Sequence, residues 1–430
     1  MSSRKVDINS SELTPNASRT ENASRKLMLF DLSINGHHPA YITHLIRYWC
    51  ENQLSGYLDI VVSPKFIQHH YDVVEIASNY DVSNVNFVAI DSEAEAALKS
   101  RKSGVNRTAR AFQEWDLLCH YAGSLKATQC LIMYFDTCQI PLVFGKKPCC
   151  PVSGIYFRPT FHYSNFAHFV PSWQDRLQQW REKLLLSRVL QHPQLQTLFC
   201  LDPFVVQHID QFHSSVNFVP LPDPVPLTTV SETQVISLRE RLGIDPDKQV
   251  FILFGALTGR KGIDQLLEAV AMLPPELSQK FCLVLAGQAN PQEQSRMATH
   301  ISDICQASPV QIITNYEFIP EPEVQTYFQL ADVVLAPYQR HVGMSGILLL
   351  AAAAQKPVLS SDYGLMGEMV QRYSLGLTVD STIPAEIARG LTRFLLEPPT
   401  ELCDRTSMKS FAEQNSAEQF ASVIFQYVLL

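Results

Sequence analysis

Short apolar runs alternate along the chain with amphipathic segments and polar turns, and the runs have strand length. The first is residues 27–32 (LMLFDL), followed by a turn holding Gly36, His37 and His38 and an amphipathic helix predicted over 41–50. Strands are predicted next at 58–62 and 85–90, with a helix near 66–76 between them and a long helical region over 93–127. Residues 130–135 (CLIMYF) form the most apolar run of this half, and strands at 152–157, 197–200 and 216–219 complete it around a helix at 172–190. Strand, turn, helix, strand is the layout of a doubly wound α/β domain with a parallel sheet.

Residues 220–226 (PLPDPVP) then place four prolines in seven positions. Neither a helix nor a central strand accommodates that density, so the segment reads as a rigid connector. Beyond it the alternation resumes. Strands are predicted at 251–254, 281–286, 310–314, 332–336 and 357–360. Helices are predicted at 233–242, 263–273, 292–306, 323–330, 347–354 and onward from Glu368. This is a second parallel-sheet domain. The resulting division is a leader over 1–26, a first domain over 27–219, a connector over 220–232, a second domain over 233–402 and a terminal helix over 403–430.

A length of 430 residues suits two cores better than one. The net charge of −8 argues against a nucleic-acid surface, which needs a basic face. Residues 1–26 are polar and lack a signal-peptide core, so they read as a disordered leader. No apolar run reaches membrane-span length. The ten cysteines lack metal-ligand spacing, and ordinary thiols in a reducing cytoplasm account for them. One local feature runs against the acidic balance: Arg101, Lys102, Arg107 and Arg110 form a basic cluster, either a solvated face or a contact for an anionic acceptor or a lipid surface.

Candidate chemistry falls at strand ends. In residues 251–262 (FILFGALTGRKG), Gly255 and Gly259 permit a tight turn, and Arg260 with Lys261 stand where the next helix begins; a helix start with two cations is an anion site suited to phosphate. As an isolated motif, an ordinary turn with a solvated basic pair is the commoner outcome. In the first half, Gly36 opens a turn whose His37 or His38 either hydrogen-bonds a substrate or caps and decorates the helix. Asp136 lies just past a strand, where it serves either as a catalytic or binding carboxylate or as a cap. Arg158 and His162 follow another strand and are candidates for substrate contact.

The second half resembles the GT-B glycosyltransferases, in particular the retaining group that includes sucrose-phosphate and mannosyl transferases. The matching stretches occur in order: PLPDPV at 220–225, FGALTGRKGIDQLLEAV at 254–270, LVLAGQ at 283–288, YEFIPEPEVQTYFQLADVVLAPY at 316–338, AAAAQKPVLSSDYGLMGEMV at 351–370 and the terminal FAEQNSAEQFASVIF. The resemblance implies two Rossmann-like domains facing a central cleft. It implies a metal-independent, retaining hexosyl transfer from a nucleotide-diphosphate sugar, a co-substrate with no further cofactor, to a sugar, lipid or small-molecule acceptor held by the first domain. Arg260 and Lys261 match the basic pair that holds the donor diphosphate. Phe318 and Ile319 match the loop lying on the nucleobase. Gly343, Met344, Ser345 and Gly346 match the turn before the donor-facing helix. Where the family usually carries two glutamates at this turn and helix, the sequence has Val342 and Leu350. Glu368 matches a later acidic position and either takes over part of their role or caps its own helix. The family's first-domain histidine is not at its usual place, and Arg158 and His162 stand near it. The departures keep two alternatives open: a non-catalytic nucleotide- or sugar-binding protein with a degenerate site, and an epimerase or phosphorylase on the same fold.

Overall fold

The structure is a computed structural model and describes residues 25–80, 83–100, 103–166, 168–225 and 227–429. The leader read over 1–26 lies outside these residues except for its last two, as do Arg101 and Lys102 of the basic cluster and Pro226 of the connector.

The first sheet contains β1 (Lys26–Asp31), β2 (Tyr57–Val62), β3 (Val85–Ala89), β4 (Gln129–Ile132), β5 (Val152–Tyr156), β6 (Leu195–Cys200) and β7 (Asn217–Pro220), ordered β3-β2-β1-β4-β5-β6-β7. The second contains β8 (Gln249–Phe254), β9 (Phe281–Ala286), β10 (Gln311–Asn315), β11 (Val333–Ala336), β12 (Val358–Ser361) and β13 (Gly376–Val379), ordered β10-β9-β8-β11-β12-β13. Every pairing in both sheets is parallel. Helices cover both faces of each sheet, which is why the strands read as unbroken apolar runs: all six residues of β9 are buried. Strand order reverses between β1 and β4 and again between β8 and β11. In such sheets the crevice for a ligand opens at the carboxyl ends of the strands at those two points.

Three expectations are corrected. The helical region predicted over 93–127 divides into Ser92–Ala96 and Gly104–Ser124. The apolar run predicted as a strand to Phe135 leaves the sheet after Ile132 and coils into a tight turn over Phe135–Thr137. The ring of Phe135 there lies against Gly154, where an added Cβ would come within 2.7 Å of it. The helix predicted from Glu368 begins at Gly364, so Glu368 lies inside it and does not cap it.

The prolines begin inside β7, at the sheet edge, where a missing N–H costs no ladder bond. The chain then crosses to the second sheet, and the terminal segment crosses back. Helix Ala417–Val428 packs on helix His38–Glu51, with Phe420 against Tyr41 and Phe425 against Tyr48 and Trp49. Asp223 ties these crossings together: it accepts from the Tyr41 hydroxyl, and its N–H donates to Asn415 Oδ1 at 3.1 Å. Burial pushes its carboxyl up to about 6 from 3.8, although the Tyr41 bond works against that rise. The folded state therefore binds this proton more tightly than the unfolded chain. The site costs stability as pH rises from about 4 to about 6. Asp223→Asn removes the titration. Denaturant unfolding of the two proteins is expected to show their stability difference moving against the wild type by about 2 kcal/mol between pH 4 and pH 7. A difference independent of pH contradicts this assignment.

Candidate functional site

The second-domain side of the site is built on the turn after β8. Gly255 has φ +99° and leaves room for the Lys261 ammonium, which would stand 3.0 Å from a Cβ at that position. Leu257 and Ile263 are buried and anchor the turn on both sides. Between them residues Gly259–Lys261 coil tightly, Gly262 takes φ +70°, and helix Ile263–Ala271 begins. An added Cβ on Gly262 would come within 2.1 Å of the Pro337 carbonyl oxygen. The approach is that close because this turn is bound to the segment after β11: the Gln339 N–H donates to the Arg260 carbonyl at 2.9 Å.

The two cations of the turn differ in environment. Lys261 is 5% exposed. Its Nζ donates to the Phe254 carbonyl and to the Tyr338 hydroxyl at 2.6 Å. An ammonium has three N–H groups, so a third remains for a ligand. Arg260 is exposed, and its guanidinium lies 5.6 Å from the Tyr338 ring centre. Its Nη1 meets His341 Nδ1 at 3.2 Å, while His341 Nε2 meets the Met344 carbonyl at 3.3 Å. An arginine only donates and a carbonyl only accepts, so the ring is the neutral tautomer with its proton on Nε2. Burial holds the His341 pKa below its ordinary value, and the charges of Arg260, Arg158 and Lys261 hold it lower still, against the raising effect of the Met344 bond. Ser345 donates to the Tyr338 hydroxyl at 3.3 Å. Tyr338 and His341 were not picked out from the sequence. Their signal was positional: both lie between the end of β11 and the glycine turn.

The other second-domain candidates are placed as follows. Phe318 is 70% exposed and offers a ring face, whereas Ile319 is buried in the core and presents none to a ligand. Gly343, Met344, Ser345 and Gly346 precede the short helix Ile347–Ala353. Val342 and Leu350 both pack against the apolar core. The Val342 carbonyl accepts from the Leu365 N–H at 3.1 Å. Glu368 is partly exposed on the first turns of its helix.

The first-domain side is an aromatic and cationic surface at the ends of β1, β4 and β5. Asp31 ends β1 and accepts from His38 Nδ1 at 2.6 Å and from the Ser33 N–H at 2.9 Å. The His37 ring stacks on Phe157 at 5.0 Å, and Tyr134 lies 5.1 Å from the same ring. Desolvation holds the His37 pKa below its ordinary value, and His38 and Arg158 hold it lower still, with Asp31 opposing. Asp136 is engaged by the backbone after β5. Its carboxylate accepts from the N–H groups of Phe157 at 2.9 Å and Arg158 at 3.0 Å. Burial nevertheless pushes its pKa up to about 6 against those two bonds. It fixes the backbone from which the exposed Arg158 side chain extends. His162 lies inside the domain, 2% exposed, with Nε2 on Asp202 at 2.8 Å. The structure thus separates His162 from the surface that carries His37, His38 and Arg158. Gly36 opens the turn with φ +76°.

Contacts bring the two sides together. Arg372 of the second domain lies over the Phe204 ring of the first, 5.2 Å from its centre, and the charge of Arg158 lowers the pKa of both His37 and His341. His168 Nδ1 meets Asp362 Oδ2 at 3.4 Å, and Phe169 lies 5.3 Å from Tyr363. A cavity of about 560 Å³ adjoins the first glycine turn between Asn35, His38, Lys65 and Arg110. A larger groove of about 1100 Å³ begins at Tyr134, Asp136 and Arg158 and runs outward between helices. Among the described residues no cluster of three or more His, Cys, Asp or Glu side chains is arranged to hold a metal ion.

Residues 235–413 match the model of the family described as glycosyl transferases group 1. A glycosyltransferase of Methanocaldococcus jannaschii is 27% identical over 167 residues, 39% of this chain and 40% of that one. The lipopolysaccharide glucosyltransferase WaaG of Escherichia coli is 30% identical over 125 residues, 29% of this chain and 30% of that one. The chain therefore aligns with less than half the length of these relatives. Over the whole fold, Anabaena HepE in complex with UDP and glucose superposes with a TM-score of 0.59 at 14% identity, covering 94% of this chain and 98% of that one. Sucrose-phosphate synthase of Thermosynechococcus elongatus superposes with a TM-score of 0.65 at 15% identity and the same coverage. The fold is GT-B, two parallel-sheet domains joined by the connector.

Proposed function

We propose that this chain, whose residues 235–413 match the model of the glycosyl transferases group 1 family, transfers a hexose-type sugar from a nucleoside-diphosphate donor to an acceptor held by its first domain. The observation that carries the reading is the pair of cations on the glycine turn, Lys261 buried against Tyr338 and Arg260 held on a neutral His341, whose pKa the charge of Arg158 from the other domain also lowers. As the bond between sugar and diphosphate breaks, negative charge grows on the departing phosphate. Fixed cations in a narrow cleft stabilise that charge more than they stabilise the ground state. In this scheme Lys261 contributes its third N–H, Arg260 a flexible guanidinium, and the exposed Phe318 ring a stacking face for the base. The leaving charge is offset by these side chains, and independence from a metal rests on the family resemblance. Retention of configuration rests on the family resemblance alone.

The first domain supplies the acceptor side. His37, Phe157 and Tyr134 make a surface of rings on which a sugar-like or apolar acceptor can stack, and His38, held by Asp31, lines the adjoining cavity. Approach of the two domains would exclude water and limit hydrolysis of the donor. With Val342 and Leu350 apolar, ribose and sugar hydroxyls lose two carboxylate partners, and donor affinity leans more heavily on the diphosphate. HepE was solved with UDP, which makes uridine diphosphate the first nucleotide to try. A cytoplasmic location fits the ten free thiols, and no helix among the described residues is long and apolar enough to cross a membrane.

The test is a thermal-shift screen of nucleoside diphosphates, followed by mass analysis of products formed from the matching nucleotide sugar. Stabilisation by one diphosphate and a transferred hexose are expected. Stabilisation with no product in any acceptor mixture would favour the non-catalytic alternative, which the apolar Val342 and Leu350 motivate. A product isomeric with the donor sugar, or a sugar phosphate, would favour an epimerase or a phosphorylase. Arg158→Ala is expected to lower kcat/KM by about 10- to 100-fold, the worth of one hydrogen bond to a charged group. Unchanged kinetics would remove Arg158 from the cleft.

A further inference from the structure

Helix Trp173–Val189 carries an apolar stripe on its solvent side. It is capped by Ser172 and Asp175 and buries Gln179, Leu186 and Val189 against the first domain. At 100° per residue, Trp173, Leu177, Trp180 and Leu184 fall within about 60° of one another on the opposite face. They are 72, 48, 59 and 50% exposed. Over about 16 Å this is a continuous ridge. Val170 and Phe144 beside it are 81 and 71% exposed. Single exposed apolar residues need no explanation, but a contiguous ridge with two tryptophans does.

The charges around the ridge have one sign. Arg176 and Lys183 flank it on one side, Arg181 and Arg188 on the other, and all four are exposed. The two acids of the helix are otherwise engaged: Asp175 accepts in the capping box, and Glu182 accepts from Tyr156 and Thr160. A cationic rim of this kind on a chain of net charge −8 is a local departure from the average surface.

We propose that this face docks on an anionic lipid surface, with Trp173 and Trp180 as interfacial anchors and the four cations against lipid headgroups. An amphipathic helix lying in the membrane plane has this arrangement: aromatic and aliphatic residues in the acyl boundary, Lys and Arg alongside at headgroup depth. Pairing of two copies through the same ridge fits less well, because a two-fold interface would set the four cations of one copy against those of the other. Trp173 and Leu177 also line the groove that leads inward to Arg158. Docking therefore places the mouth of that groove at the membrane, where an acceptor could enter from the lipid. This last step rests on the transferase reading; the docking itself does not.

The test uses the full chain with vesicles of phosphatidylcholine alone and of phosphatidylcholine mixed with phosphatidylglycerol. Co-sedimentation with the anionic vesicles, weakened by salt and absent with phosphatidylcholine alone, is the expected result. Of the four tryptophans, Trp49 and Trp115 are buried. A blue shift of emission on binding therefore reports Trp173 and Trp180. The double variant Trp173→Ser with Trp180→Ser is expected to bind at least about tenfold more weakly at an unchanged melting temperature, since both side chains are exposed. Arg181→Gln with Arg188→Gln is expected to weaken binding and flatten its salt dependence, and does not depend on the first variant folding. No binding to anionic vesicles, or equal binding by wild type and both variants, overturns the proposal. A dimer that dissociates in the tryptophan variant, without vesicle binding, also overturns it and reassigns the face to a second copy.

Discussion

Replacing Lys261 with alanine is expected to lower donor-dependent turnover by roughly 10²- to 10³-fold, the loss found when one preorganised donor to a developing anion is removed. The expectation follows from how the side chain is held. Its ammonium is buried beneath the turn, with the Phe254 carbonyl and Tyr338 hydroxyl taking two of its protons. Those partners orient it before any ligand arrives, so little reorganisation is needed when charge develops. The loss should fall mainly on kcat, because the interaction strengthens as the phosphate departs. Lys261→Met keeps the stem and much of the volume but removes the charge, and should behave like alanine. Lys261→Arg should not restore activity: a planar guanidinium fork cannot direct N–H groups to the Phe254 carbonyl, the Tyr338 hydroxyl and a ligand as the compact tetrahedral ammonium does. An alanine variant with wild-type kinetics would mean that Lys261 merely staples the turn to Tyr338.

Gly262→Ala has the largest expected effect on stability. The residue adopts φ +70°, and its new Cβ would lie 2.1 Å from the Pro337 carbonyl oxygen and 2.7 Å from Gln339 Nε2. The first feature strains the backbone. The second requires two packed segments to separate, one of which carries Tyr338. Together they predict a loss of roughly 2–4 kcal/mol, measured by denaturant unfolding. Nucleoside-diphosphate binding should fall with it, because the same displacement moves Lys261 away from Tyr338. A variant as stable as the wild type would show that the turn relaxes without disturbing its neighbour.

Much of the fold was legible because parallel strands covered on both faces must be apolar throughout. Residues 281–286 were predicted as a strand and form β9 over the same residues. The same rule explains the overshoot at β4. Met133 and Phe135 are as buried as the strand before them, so hydrophobicity could not tell a strand from a buried turn. The helix beginning at Gly364 was hidden by its glycines, which suggest a loop. Gly367 is required there because a Cβ would come within 2.0 Å of the Asp362 carbonyl oxygen.

The site was legible in its residue types and less so in its geometry. Arg260 and Lys261 could be singled out from a strand, a glycine turn and a helix start. That Lys261 is buried and bound to Tyr338, 77 positions away, is a product of packing that no local pattern records. His341 entered the same way, through a contact with Arg260 across 81 positions. Asp136 and His162 show how packing engages residues that position alone would leave free. Each has the right chemistry near a strand end, but Asp136 is occupied by two backbone N–H groups and His162 is enclosed with Asp202. Position after a strand does not reveal which way a side chain turns.

The central claim is that the turn carrying Arg260 and Lys261 holds the diphosphate of a nucleotide sugar during transfer. It is tested most directly by the release of nucleoside diphosphate from a panel of nucleotide sugars, comparing the full chain with its Arg260→Ala and Lys261→Ala variants. The account predicts release from at least one donor by the wild type and a fall of roughly tenfold or more in each variant, larger for Lys261. Release that both substitutions leave unchanged would contradict it.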